Sequence, residues 1–242
     1  MPVRMKKTRQ NRDQPVDLII FDCDGVLVDS EVISCRAHAE TLTRHGYPIT
    51  ADQVLDRFLG RSMRQATLEV EAELGRNLPD DFPAQVYAEV FRLFAASLIA
   101  MPHIEEALAA IVLPVCVASS GPPEKISASL NRVGLYDRFA PNVFSASEVR
   151  NGKPAPDLFL LAADRMKATP DRCLVIEDSV AGIAGARAAG MAVLGFHGGS
   201  HCREGYAETL RAAGAAMTFD DMRQLPALIA RNRGLVAGFS HP

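Results

Sequence analysis

Residues 17–31 read DLIIFDCDGVLVDSE. The run DLIIFD (17–22) is apolar without polar alternation, the pattern of a strand buried on both faces. It ends at Asp22 and Asp24, and Gly25 permits a sharp turn directly after them. Three more runs share the pattern: PVCVAS (114–119), CLVIED (173–178) and MAVLGF (191–196). A helical pattern follows each of these three. PPEKISASLNRVG has proline near its start, DSVAGIAGARAAG opens acidic and closes on glycine, and EGYAETLRAAG comes after the last. Strand and helix in alternation predict a parallel α/β sheet with right-handed crossovers.

The rhythm breaks after the first strand. Residues 31–101 offer no strand pattern but carry amphipathic helices in SEVISCRAHAETLTRHG, SMRQATLEVEAELG and FPAQVYAEVFRLFAASL. They predict an all-helical insert, leaving 16–30 and 102–232 for the α/β core. The polar, basic residues 1–15 and the stretch 233–242 are expected to be mobile tails.

Composition narrows the partners. A net charge of −3 and a pI near 6.1 argue against a dedicated nucleic-acid binder. No apolar run approaches the roughly 18–20 residues that cross a bilayer, and no apolar stretch follows the basic start as a secretory signal would need. Five cysteines, with no CxxC pair, read as reduced residues of a cytoplasmic protein, with Cys23, Cys116 and Cys173 in its core. Only five lysines occur: Lys6, Lys7, Lys125, Lys153 and Lys167. The six histidines lack ligand spacing and most read as surface or helix-end residues, although HGGSH (197–201) follows a strand and is expected near its rim.

In an open parallel sheet, ligands lie beyond the carboxyl ends of the strands. Asp22 and Asp24 end the first strand, and Ser119-Ser120-Gly121 end the second. Lys153, in NGKPAPDLF, follows a further apolar run, NVFSA; Glu177-Asp178-Ser179 end the CLVIED strand. Carboxylates, hydroxyls and one amine on a single rim suit phosphoryl transfer. Asp22 and Asp178 are candidates for holding Mg²⁺, which prefers oxygen ligands. Lys153, the Ser119 hydroxyl and nearby backbone N–H groups would hold phosphoryl oxygens. Asp22 would attack phosphorus, and Asp24 would move protons to and from the leaving and attacking oxygens. Taken singly, each has a simpler reading: a turn aspartate, a capping serine, a solvated lysine, an acidic N-cap. Their joint order is what carries the chemistry.

That order, Asp22-x-Asp24-Gly25, Ser119, Lys153, Glu177-Asp178, resembles the four motifs of the haloacid dehalogenase-like hydrolase superfamily. FDCDGVLVDSE, GKPAPDLF and IEDSVAGIAGARAAGM resemble its β-phosphoglucomutase-like branch, and the pattern is similar to bacterial sugar-phosphate phosphatases. The resemblance spans about residues 16–230. It implies a Rossmann-like parallel sheet core with an inserted helical cap. It implies Asp22 as nucleophile and Asp24 as acid/base. Mg²⁺ would be held by the Asp22 carboxylate, the Asp24 carbonyl and Asp178, with Glu177 in support. Phosphate or substrate would be bound by Ser119, Ser120, Gly121 and Lys153. In the cap, Phe58-Leu59-Gly60-Arg61-Ser62 resembles the specificity segment, which makes Arg61 a candidate substrate ligand.

The same resemblance separates the branches. Dehalogenases lack the second aspartate, present here as Asp24. Phosphonatases use a cap lysine, and residues 31–101 contain none. Phosphosugar mutases carry a histidine where Ser34 falls and an arginine where Met63 falls. The expectation is therefore a Mg²⁺-dependent phosphatase of small phosphorylated sugars or sugar acids, with a β-phosphoglucomutase-type mutase as the alternative. A monomer is expected, with a weak dimer as the alternative.

Overall fold

The computed structural model describes residues 16–58 and 63–234, with side chains through Arg231. Segments 1–15 and 235–242, read above as tails, and Arg61 lie outside them. The predicted strands form: β1 (Leu18–Phe21), β2 (Val115–Ser119), β4 (Cys173–Glu177) and β5 (Ala192–Phe196). The NVFSA run supplies β3 (Val143–Ser145), and a short edge strand, β6 (Met217–Phe219), escapes the sequence reading. All pair in parallel, in the order β3-β2-β1-β4-β5-β6. The chain builds outward from β1 in one direction, then returns to start the other half at β4. The crevice between the carboxyl ends of β1 and β4 is thus the point where strand order reverses.

Alternation of side chains gives the sheet two buried faces. Ile19, Phe21, Val117, Leu174 and Ile176 pack on one side, against α5 (Ile104–Ala110), α6 (Pro123–Arg132) and α11 (Leu225–Gly234). Leu18, Ile20, Cys116 and Val175 pack on the other, against α8 (Asp157–Arg165), α9 (Val180–Ala188) and α10 (Tyr206–Ala213). A one-turn helix, α7 (Tyr136–Phe139), precedes β3. Helix α11 continues through Gly234, into the stretch expected to be a tail from residue 233.

Between β1 and α5 lie only helices among the described residues: α1 (Glu31–Arg44), α2 (Ala51–Phe58), α3 (Met63–Leu74) and α4 (Phe82–Ser97). The chain enters and leaves this insert side by side. Asp29 N donates to Ile99 O at 3.1 Å and Met101 N to Leu27 O at 2.9 Å. All five cysteines are free thiols; Cys35 joins Cys23, Cys116 and Cys173 in the interior. No described helix is long and apolar enough to cross a membrane.

Candidate active site

Asp22 directly follows β1, and its N–H donates to Ile176 O at 3.0 Å, which sets it level with the end of β4. Lys153, in the loop before α8, bridges Asp22 Oδ1 and Glu177 Oε1, each at 2.7 Å. Its side chain is only 4% exposed, so it is no solvated surface cation. Glu177 is fully buried, and its other oxygen accepts from Ser179 N at 2.8 Å and Ser179 Oγ at 2.9 Å. Ser179 also caps α9, taking a bond from Gly182 N at 2.9 Å. The capping reading thus holds for Ser179, while Glu177 and Asp178 turn toward Asp22.

Asp24 is held at both oxygens. Ser30 Oγ donates to Oδ1 at 2.6 Å, and Lys125 Nζ lies 2.7 Å from Oδ2. Lys125 belongs to the first turn of α6, and its ammonium lies 5.6 Å from the centre of the Phe94 ring on α4. Gly25 has φ of +73°, a conformation that side chains other than glycine rarely adopt. A Cβ there would lie 1.9 Å from Asp178 Oδ2. Asp178 in turn pairs with His201, Nε2 to Oδ2 at 3.0 Å.

Ser119 ends β2, buried, with its Oγ accepting from Gly121 N at 3.1 Å. It does not cap α6, whose N-cap is Pro122. Ser120 is exposed, and Gly121 O accepts from Ser145 Oγ at 2.7 Å.

Electrostatics follow from crowding. Burial lifts the Asp22 carboxyl well above the usual range, Lys153 pulls it back, and Glu177, Asp178 and Asp24 add to the lift. Burial also lifts Asp24, but Lys125 and the Ser30 hydroxyl outweigh it and hold that carboxyl below its usual value. Burial raises Glu31, beside Asp24, to about 7. For His201, burial opposes the charge, yet the bond to Asp178 holds the imidazole protonated well above the usual histidine range.

The carboxylates of Asp22, Glu177 and Asp178 each place an oxygen within 4.8 Å of the others. A hard, all-oxygen donor set suits a magnesium-type divalent cation rather than a thiophilic one. Burial does most to lift Asp22, and the neighbouring carboxylates add to it; a bound cation would offset both, so these residues fit one.

The residues read from sequence therefore converge: Asp22, Asp24, Ser119, Lys153, Glu177 and Asp178 share the carboxyl rim of the sheet. Ser30 and Lys125 were not singled out as site residues. Two histidines stand apart from the surface reading given for most of the six: His201, in the HGGSH stretch expected near the rim, is buried against a carboxylate, and His38 is buried between Phe58 and Phe82 of the insert.

Residues 16–190 match the family model of the haloacid dehalogenase-like hydrolases. The chain belongs to that family. It is similar to the 6-phosphogluconate phosphatase of Escherichia coli K12, 35% identical over 187 residues, covering 77% of this chain and 85% of that protein. It is 31% identical over 180 residues to the phosphorylated carbohydrates phosphatase of Thermotoga maritima, covering 73% and 82%. The crystal structure of a haloacid dehalogenase-like protein of unknown function from Agrobacterium tumefaciens, ATU0790, matches with a TM-score of 0.80 at 39% identity. That match covers 89% of this haloacid dehalogenase-like hydrolase and 98% of the other chain.

Proposed function

We propose that this hydrolase releases phosphate from small phosphorylated sugars or sugar acids, with Mg²⁺ as cofactor, Asp22 as nucleophile and Asp24 as acid/base. The observation that carries the reading is the Lys153 bridge: one buried ammonium joins Asp22 to Glu177 where the strand order reverses. The names of the relatives support the substrate class.

An Asp22 oxygen attacks phosphorus as the bond to the leaving alkoxide breaks, giving an aspartyl-phosphate. Asp24 protonates the alkoxide, then takes a proton from the water that hydrolyses the acyl phosphate and restores Asp22. Held by Lys125 as it is, Asp24 is in its proton-accepting form; donation requires that this ion pair open. The Asp22 carboxylate, the Asp24 carbonyl and Asp178, with Glu177 in support, would hold Mg²⁺. When bound, the ion offsets phosphoryl charge. Lys153 adds a fixed cation, and Ser119 with the Ser120–Gly121 backbone receives the phosphoryl oxygens. Helices α1–α4 act as the cap, and Arg61 remains a candidate substrate ligand from its sequence segment alone.

The test is phosphate release from a panel of monoesters, including 6-phosphogluconate, glucose 6-phosphate and β-glucose 1-phosphate, with Mg²⁺ and with chelator. Metal-dependent release favouring a sugar or sugar-acid phosphate is expected. Conversion of β-glucose 1-phosphate to glucose 6-phosphate without release would overturn hydrolysis in favour of a mutase.

A further inference from the structure

His201 stands outside the four motifs, yet the structure builds a seat for it. Its side chain is 1% exposed, and Nε2 lies 3.0 Å from Asp178 Oδ2, itself on a side chain only 6% exposed. The imidazole meets the Tyr206 ring edge-on, with centres 5.8 Å apart. On another side lies the Gly25 turn, where an added Cβ would approach His201 Cε1 to 3.0 Å. Among the described residues Nδ1 has no hydrogen-bond partner, and the one further polar contact, Cys202 Sγ at 3.4 Å from Nε2, is weak. The ring is therefore anchored chiefly through Asp178. The loop that carries it is itself tied down: Ser200 N and Oγ both donate to Asp29 Oδ1, at 3.1 and 2.7 Å.

We propose that His201 is a positioning residue that fixes the Asp178 carboxylate for the divalent cation. The inference rests on the metal reading of the proposed function. Asp178 follows β4 beside two other buried carboxylates, whose repulsion favours its turning away when no cation is bound. The donor on His201 takes Oδ2, which locks the rotation of the carboxylate and leaves Oδ1 for the cluster. Nε2 donates in the neutral Nε2–H tautomer and in the imidazolium alike, so the role does not depend on the charge state. Partners of this kind orient a ligand before the ion arrives, and their loss weakens metal affinity about 10–100-fold.

The experiment follows the melting temperature against Mg²⁺ concentration, without substrate, for the full chain and its His201→Leu and His201→Gln variants. The leucine fills much of the space without a donor; the glutamine amide reaches near the Nε2 position. His201→Leu is expected to need about 10–100-fold more Mg²⁺ for half of the full stabilisation, with His201→Gln returning to within a few-fold of wild type. If His201→Leu shows no cooperative melt, His201→Asn, whose amide falls short of Asp178, takes its place with the same expectation. Equal Mg²⁺ requirement in the donor-less variant and wild type would overturn the inference, as would equal weakening in His201→Gln and His201→Leu. A wild-type chain that Mg²⁺ does not stabilise at any concentration would instead overturn the metal reading itself, and this inference with it.

Discussion

Asp22 and Lys153 share one hydrogen bond, but removing one or the other has opposite consequences. Asp22→Asn keeps the shape of the side chain and leaves Lys153 paired with Glu177. It also removes one of four crowded carboxylates. Phosphate release should fall at least about a thousand-fold, with the melting temperature unchanged or higher. Survival of activity would remove Asp22 as nucleophile. Lys153→Met leaves Asp22 and Glu177 buried and facing each other without a cation, a loss of about 3–5 kcal/mol. Urea denaturation reads it, and a variant as stable as wild type would show that the bridge contributes nothing net. These two residues were legible in sequence because each lies where a strand ends or a helix begins, and phosphoryl chemistry needs both types. Lys125 was not, and for His201 the sequence indicated only that HGGSH falls near the rim, not its pairing with Asp178. Lys125 lies in an ordinary first helical turn and His201 in a glycine-rich loop, and only the tertiary fold brings them to Asp24 and Asp178.

At the scale of elements, the site depends on how closely α9 approaches the end of β4. A Cβ on Gly182 would fall 1.8 Å from Glu177 Oε1 and 2.0 Å from its Cδ. Alanine in place of a helical glycine ordinarily gains about 0.5–1 kcal/mol. Here it must push the Glu177 carboxylate off Ser179 and Lys153, and we expect Gly182→Ala to lose about 1–3 kcal/mol instead. Activity should fall with it, since Lys153 loses a partner. A stabilised, fully active Gly182→Ala would show that Glu177 can move freely. The same strand was plain in sequence: CLVIE is buried throughout and apolar up to Glu177, VCVAS is buried throughout and apolar up to Ser119, and LIIF is apolar and buried along its whole length. β6 was not, because an edge strand of three residues with Met217 exposed and Phe219 buried has too short a pattern to separate from a loop. The helical insert was legible from the want of any strand pattern across its length.

For the whole molecule, acid sensitivity should originate partly far from the chemistry. His38 lies in α1 within the core of the insert, 7% exposed, and its Nε2 has no hydrogen-bond partner among the described residues. Burial lowers its pKa from 6.5 to about 4. Between those values the unfolded chain binds a proton that the folded chain refuses, so stability rises with pH across that window. The contribution is fully present above pH 6.5, fades as the pH falls, and is exhausted near pH 4. Each pKa unit is worth about 1.4 kcal/mol, so the folded state should lose about 2 kcal/mol from this group between pH 7.5 and pH 5. His38→Leu, which fills the space between Phe58 and Phe82 without titrating, should lose about 2 kcal/mol less than wild type over the same interval. Urea midpoints at the two pH values, with equal slopes, decide the matter. Parallel losses in the two proteins would place the acid sensitivity elsewhere, at the carboxylate cluster of the active site.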